Sequence, residues 1–233
     1  LTAAMEAKFN QNSYYLHTRD QSSLGGRAID INLKNPITGL PMTGSSSGTA
    51  INVFLGINDI GMGTDGGGSV LAPAVSLNLF SVIDPLLFYE ERKKENEKVS
   101  TDGISFIPSI GLISKNLKLL QELYVNLRDL ESSNLETKIL VDDEKICNSL
   151  KDENVEVSSF EGKYDNERLA LIETTKRLLE KYDIIVSKEG PVDLNGFGDS
   201  VFGHFDARTK EIQVAANKGF LRIANMVNCF ALT

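Results

Sequence analysis

The sequence predicts an α/β protein with a mixed, largely central β-sheet and helices on both faces of that sheet. In the second half of the chain, short apolar segments typical of strands alternate with amphipathic segments typical of helices. The chain has 233 residues, of which 41% are hydrophobic and 24% charged, enough for one sizeable core. We therefore expect a single domain over residues 1–233, with residues 1–24 as a peripheral N-terminal segment.

The first half of the chain mixes short apolar segments with loops rich in glycine, serine and proline. Residues 28–33 alternate between apolar and polar side chains, as a half-buried strand does. A helix is expected over residues 49–55 and a strand over residues 57–62. Proline suits the first turn of a helix, so a second helix is expected from Pro73 to about residue 80.

The clearest helical periodicity follows in residues 113–127, where apolar side chains recur at intervals of three and four. Ser114 is the predicted N-cap of this helix. A second strong helix is predicted over residues 166–181, and Asp143 can cap a helix that ends near residue 150. The other predicted elements are an extended segment at 101–111, strands at 138–141, 155–160, 183–186 and 211–214, and a final helix, or a helix followed by a turn, at 217–229.

Composition excludes several kinds of partner. The formal net charge is −8, whereas binding to nucleic acid or to an anionic membrane surface needs clustered Lys and Arg, so we expect neither. We also expect neither a membrane span nor a secretory leader, because no apolar run is long enough for a span and the sequence has no leader pattern. The chain begins with Leu1 rather than Met, so we expect that residues preceding it have been removed.

The two cysteines, Cys147 and Cys229, lack the spacing of metal ligands. We interpret them as thiols of a reducing compartment, which predicts a cytoplasmic protein without a metal site. A disulfide between them is the alternative.

Two loops of small residues carry the clearest chemical signal. The first serine loop is residues 44–50 (GSSSGTA) and the second serine loop is residues 63–69 (GTDGGGS). Glycine allows the backbone to approach a ligand closely, and three consecutive glycines before Ser69 suggest N–H groups that point to one place. Converging N–H groups of this kind form an oxyanion hole.

A serine hydroxyl becomes an effective nucleophile only when a neighbouring base takes its proton. A Ser-His-Asp triad would need His17 or His204, and both lie far from the two loops in sequence. A relay through a second serine to a lysine kept neutral by burial would explain why Ser45 and Ser69 occur in paired loops. The second serine loop lacks the Gly-Lys-Ser/Thr ending of a P-loop, which argues against nucleotide binding.

Together the two loops resemble the motifs of the amidase signature family. That family carries a GGSSGGSA-type loop and, at this spacing, a GTDxGGSxRxPA-type loop, whose final residues correspond here to Pro73 and Ala74. Looser similarity runs from about residue 25 to the end of the chain, in residues 100–114, 182–186 and 225–232. The resemblance implies an amidase-like α/β core that hydrolyses a small-molecule amide through a serine acyl-enzyme, without metal or organic cofactor.

The resemblance also implies roles for individual residues. Ser69 would be the acylated nucleophile, and Ser45 the bridging serine that follows a cis peptide bond. The oxyanion hole would be formed by the backbone N–H groups of Gly66, Gly67, Gly68 and Ser69. Three residues would support the loops, namely Ser46, Thr64 and Asp65.

Several positions depart from the family pattern. The family's catalytic lysine lies well upstream of the first loop, but only Lys8 and Lys34 precede Ser45, and neither has the expected context. Leu71 stands where the family has an arginine, and the chain has about half the usual length. Two glycines of the first motif are replaced, by Thr43 and Ser47.

These departures leave three interpretations of function. The chain is a carbon–nitrogen hydrolase with its own base, a hydrolase whose lysine comes from a removed segment or a partner subunit, or an inactive amidase-like scaffold for binding or subunit assembly. A half-length chain would also expose apolar surface, which favours self-association or a partner subunit.

Overall fold

The chain folds as an α/β protein, as the sequence predicts. The computed structural model describes residues 34–89, 97–128, 137–150, 154–160, 162–164, 167–199 and 202–233. The predicted strand over residues 28–33 and the N-terminal segment 1–24 lie outside the described residues. Within the described ranges, six α-helices accompany an antiparallel sheet of four strands, a parallel sheet of three strands and a two-stranded hairpin.

The elements are numbered in chain order. The strands are β1 (Ile60–Asp65), β2 (Phe80–Asp84), β3 (Lys98–Val99), β4 (Ser105–Phe106), β5 (Ser109–Ser114), β6 (Ile139–Val141), β7 (Val155–Val157), β8 (Ile184–Val186) and β9 (Ala231–Leu232). The α-helices are α1 (Ser47–Phe54), α2 (Leu71–Ser76), α3 (Leu117–Arg128), α4 (Glu144–Leu150), α5 (Arg168–Leu179) and α6 (Ala207–Val214).

The antiparallel sheet has the strand order β1–β5–β2–β9. All six residues of β5 are buried, and β1 and β2 pair with it on its two sides. Ile113 packs in the core around α1 and α2, and Leu112 packs with Leu120 of α3. The register sets Asp65, the last residue of β1, opposite Ser109 at the start of β5. The sheet therefore fixes the position at which the second serine loop leaves β1.

The main hydrophobic core lies around α1, α2 and this sheet. Its buried side chains include Ile51 and Val53 of α1, Leu71 of α2 and Ile83 of β2. Burial of each such side chain stabilises the fold by roughly 1.5–3 kcal/mol. Each serine loop leads directly into one of the two helices, so the packing of the helices orients the loops.

The parallel sheet has the order β7–β6–β8, with α4 and α5 as the connections between its strands. This is the alternation of strands and helices that the sequence predicts for the second half of the chain. Asp143 precedes α4, and its Oδ1 accepts hydrogen bonds from the N–H groups of Lys145 at 2.9 Å and Ile146 at 3.1 Å. Its predicted capping role is confirmed.

The predicted N-cap of α3 is wrong. Ser114 is the last residue of β5, and its hydroxyl donates to the Asp59 carbonyl oxygen at 2.9 Å. The cap is Asn116, whose Oδ1 accepts from the Leu119 N–H at 3.2 Å. The apolar residues at the end of β5 continue the helical spacing of α3 by chance, which moves the apparent start of the helix upstream.

The structure also differs from three other predicted elements. Residues 211–214 belong to α6 instead of a strand, because Asp206 and Thr209 form a capping box that starts a helix. Residues 217–229, predicted as a final helix or a helix followed by a turn, contain two short 3-10 helices, Gly219–Arg222 and Asn225–Val227. The helix predicted from Pro73 ends at Ser76, and β2 begins at Phe80.

Both cysteines are free thiols, so the disulfide alternative does not occur. Burial raises the pKa of the Cys229 thiol.

Candidate functional site

The first serine loop is tied to a distant part of the chain just before it begins. The N–H of the buried Thr43 donates to Oδ2 of Asp193 at 2.6 Å, and Oδ1 of Asp193 accepts from the Gly198 N–H at 3.1 Å. The peptide bond between Gly44 and Ser45 is cis, the geometry that the resemblance implies. The two hydrogen bonds to Asp193, together with burial of α1, fix the direction in which the first serine loop runs.

The second serine loop is organised by Asp65. Its fully buried carboxylate accepts hydrogen bonds from the N–H groups of Gly68 at 2.7 Å, Val70 at 2.7 Å and Leu71 at 3.1 Å. Burial raises the pKa of this carboxyl group, while the three N–H groups and the positive charge of Lys218 oppose the shift. The Asp65 side chain therefore holds the loop between β1 and α2 in place through these three hydrogen bonds.

The two serine loops are hydrogen-bonded to each other. The Ser46 N–H donates to the Ser69 carbonyl oxygen at 3.0 Å, and the Ser46 side chain is buried against Gly63. Ser45 and Ser69 are half-buried and lie at the surface of the same cavity.

Asn225 connects the second serine loop to the antiparallel sheet. Its Nδ2 donates to the Ile107 carbonyl oxygen at 3.0 Å and to the Gly66 carbonyl oxygen at 3.4 Å. Its Oδ1 accepts a hydrogen bond from the Ser109 hydroxyl. One buried amide thus joins the loop, β5 and a C-terminal 3-10 turn.

One expected oxyanion-hole donor is used elsewhere. The Gly68 N–H donates to the Asp65 carboxylate at 2.7 Å, so it does not face the cavity as a donor for a ligand. Gly68 has a φ of +99°, and a methyl group on its Cα would come within 2.9 Å of the Leu221 carbonyl oxygen. This position therefore requires glycine for its conformation and for the close approach of the C-terminal segment.

The serines face a cavity of about 270 Å³. The residues of the two serine loops that line it are Gly44, Ser45, Thr64, Gly66, Gly67 and Ser69. Ser46, Asp65 and Gly68 are buried behind this wall. The remaining walls include Ser100 and Thr101 near the β3–β4 hairpin, Arg168 of α5, and Lys218 near the C-terminus.

Sequence reasoning missed three cationic residues that line this cavity, Lys98, Arg168 and Lys218. It considered only lysines that precede Ser45. The three residues come from β3, from α5 and from the segment after α6, so only the tertiary fold brings them to the serines. A local motif that could have identified them is not apparent in the sequence.

The other residues considered for a base have different positions. His204 lines a neighbouring cavity of about 100 Å³ that does not include Ser45 or Ser69 in its walls. Lys34 pairs with Pro41 in an isolated β-bridge and does not line the serine cavity. His17 and Lys8 lie outside the described residues.

Leu71, which stands at the family's arginine position, is almost completely buried in the main core. Its N–H still donates to Asp65. An arginine in the same place would bring a charge into a hydrophobic cluster, so the substitution suits the packing found here.

The described residues show neither a metal-binding cluster nor a membrane-spanning helix. No group of three or more His, Cys, Asp or Glu side chains is placed to hold a metal ion. No helix in the described ranges combines the length and the apolar character that crossing a membrane requires.

Comparison with solved structures gives limited similarity. This chain is 23% identical to a protein described as "Crystal structure of amidase", with a TM-score of 0.36 over 66% of this chain and 42% of that chain. It is 18% identical to a fatty acid amide hydrolase, with a TM-score of 0.36 over 63% of this chain and 32% of that chain. The matches span less than half the length of either protein. No family model and no curated protein matches the sequence.

Proposed function

We propose that the chain is an amide hydrolase, or a part of one, in which Ser69 attacks the amide carbonyl carbon. The carbon–nitrogen bond of the resulting tetrahedral intermediate then breaks, the amine leaves with a proton, and water hydrolyses the acyl-enzyme. The observation that carries the proposal is that Ser45, Ser69 and the backbone of Gly66 and Gly67 line one cavity. A nucleophile and convergent backbone N–H groups around one cavity are the requirements of acyl transfer.

The oxyanion hole is assigned to the N–H groups of Gly66, Gly67 and Ser69. Gly68 is left out because its N–H is bonded to Asp65. Asp65 takes a supporting role, since its three hydrogen bonds hold the loop that carries Ser69. A preorganised loop of this kind stabilises the oxyanion without reorganisation during the reaction.

The base has two candidate sources. Ser45 is assigned to the relay, and Lys98 and Lys218 line the cavity that contains it. The alternative source lies outside the described residues, in an N-terminal segment or a partner subunit. A second function, an inactive amidase-like scaffold, is favoured by Leu71, which stands at the position where the family has an arginine.

Labelling with a fluorophosphonate probe, located by mass spectrometry, tests the proposal. We expect stoichiometric labelling of Ser69, none in Ser69→Ala, and at least about a tenfold slower reaction in Ser45→Ala, because a positioned base contributes 10²–10⁴-fold. Lys218→Gln and Lys98→Gln test the in-chain bases, with Lys118→Gln on the exposed face of α3 as the matched control.

A folded protein that is not labelled would contradict the hydrolase and support the scaffold. Labelling that is insensitive to both lysine variants but lost when residues 1–33 are deleted would place the base in that segment.

A further inference from the structure

We propose that the substrate carries a carboxylate close to the scissile amide, and that Arg168 and Arg222 recognise it together with whichever of Lys98 and Lys218 does not serve as the base. We call these four side chains the cationic trough. This inference rests on the proposed hydrolysis at Ser69 and specifies the chemical class of its substrate.

The trough joins two cavities. The serine cavity and the smaller cavity of about 100 Å³ share the wall residues Gly67, Thr101, Arg168, Gly198 and Lys218. Because both cavities open onto the same residues, a ligand held at Ser69 can extend past Gly67 into the smaller cavity. Arg222 lines that second cavity.

Arg168 is held rigidly at the junction. Its Nε and Nη2 donate to Asp102 at 2.7 and 2.6 Å, and Asp102 also accepts from the Ser100 hydroxyl at 2.5 Å. The third nitrogen, Nη1, lies against the second serine loop, since a methyl group on Gly67 would come within 2.8 Å of it. A mostly buried guanidinium, with a side chain 12% exposed, therefore faces the backbone proposed for the oxyanion hole.

Arg222 places a second guanidinium nearby. Its Nη2 donates to the Lys163 carbonyl oxygen at 3.1 Å, and burial, together with the positive charge of Arg168, lowers the pKa of Arg222, while the carboxylates of Glu167, Glu189 and Asp102 oppose the shift. Two like charges held close together in a partly buried place repel each other. The neighbouring carboxylates compensate part of this repulsion, and an anion bound between the two guanidinium groups would compensate more of it.

The charge of the serine cavity contrasts with that of the whole chain. The chain has a formal net charge of −8, yet among the described wall residues of this cavity three are cationic, Lys98, Arg168 and Lys218, and Asp199 is the single acidic residue. A substrate whose only polar group is a neutral amide does not require three cationic side chains around it. A carboxylate fits best, because its oxygens accept strong charge-assisted hydrogen bonds from cationic donors such as Nη1 of Arg168, the nitrogen that Asp102 does not use.

The test measures binding by calorimetry to the Ser69→Ala variant, so that it does not depend on turnover. Two matched pairs cover both sides of the amide: glutaramate against pentanamide, and N-acetyl-β-alanine against N-propylacetamide. Each pair differs by a carboxylate in place of a methyl group. We expect the anionic member of at least one pair to bind about tenfold or more tightly, and the difference to shrink at high salt.

Variants assign the effect to the trough. Arg168→Gln and Arg222→Gln should each remove most of the anionic preference, whereas Arg177→Gln, on the exposed side of α5, should retain it. Circular dichroism checks folding, and Lys98→Gln, at an exposed position of β3, replaces Arg168→Gln if loss of the Asp102 contact unfolds that variant.

Equal binding of both members of both pairs would overturn the inference, as would a preference unchanged in all folded trough variants. Failure of the proposed function would appear separately, as absence of fluorophosphonate labelling at Ser69 in the wild-type protein.

Discussion

Among single residues, Asp65 has the largest effect on the geometry of the site. It is fully buried, and its carboxylate accepts three backbone N–H groups of the loop that carries Ser69. Each of these donors lies in a place that water does not reach, so each would be costly to leave without an acceptor. The residue therefore links the stability of the fold to the orientation of Ser69.

Replacing Asp65 by Asn should destabilise the protein by about 3 kcal/mol, because an amide NH₂ would face N–H donors at one of the two oxygen positions. We expect a lower urea midpoint and slower fluorophosphonate labelling of Ser69. The control is Asp59→Asn, which makes the same chemical change at an exposed position. Wild-type stability and labelling in Asp65→Asn would contradict the role assigned to this carboxylate.

At the scale of elements, Asn225 connects the second serine loop to neighbouring parts of the fold, as Asp65 connects residues within that loop. Asn225 joins the Gly66 and Ile107 carbonyl oxygens through Nδ2, and it accepts from Ser109 of β5. Through these contacts the C-terminal 3-10 turn supports the second serine loop and the sheet together.

Asn225→Asp should destabilise the fold by about 2 kcal/mol, since a carboxylate oxygen would replace the donor that faces two carbonyl oxygens. Thermal unfolding measured at neutral pH tests this, with Asn228→Asp at an exposed turn position as the matched control. If Asn225→Asp and Asn228→Asp both unfold at the wild-type temperature, the hydrogen bonds of the Asn225 amide do not stabilise the fold.

The elements show how far the sequence predicts this structure. The serine loops, α1, β1 and the strands and helices of the second half are encoded locally, by turn residues and by apolar periodicity. Residues 211–214 illustrate the limit, because their short apolar alternation resembles a strand until the Asp206–Thr209 capping box is considered. The start of α3 shows the same ambiguity, where the buried strand β5 continues the helical pattern.

The candidate site was predictable only in part. Ser45, Ser69 and the glycines are recognisable because their chemistry depends on neighbours in sequence. Lys98, Arg168 and Lys218 reach the cavity from three distant elements, so their relation to the serines depends on tertiary packing that local patterns do not contain. The use of the Gly68 N–H by Asp65 likewise becomes visible only in three dimensions.

Over the whole molecule, buried charge makes stability depend on pH. A cluster next to the parallel sheet contains the buried Lys163, whose Nζ lies 2.6 Å from Asp142 and 3.6 Å from Glu189. Burial raises the pKa of Glu189, although Ser187 and Lys163 oppose the shift. The folded protein therefore retains the Glu189 proton to a higher pH than the unfolded chain does.

This difference has a definite sign. Between the ordinary glutamate pKa of 4.5 and the raised value in the folded state, the native protein binds more protons, so the contribution of Glu189 to stability falls as pH rises. Glu189→Gln should remove this dependence. We measure the free energy of unfolding in urea from pH 4 to 8. The value for Glu189→Gln minus the value for the wild type should increase as pH rises, because only the wild type loses the Glu189 contribution.

Glu173→Gln, at an exposed position of α5, controls for loss of a carboxylate as such. A constant difference between wild type and Glu189→Gln across this pH range would show that Glu189 ionises alike in the folded and unfolded states.

The hydrogen bonds that hold the serine loops join residues far apart in the chain. Thr43 and Asp193 are separated by 150 positions, and Gly66 and Asn225 by 159. During synthesis, both serine loops leave the ribosome long before the segments that support them. The nascent chain must therefore carry both loops without these supports until the segments around Asp193 and Asn225 have been synthesised, so the folded arrangement of the loops cannot form before then.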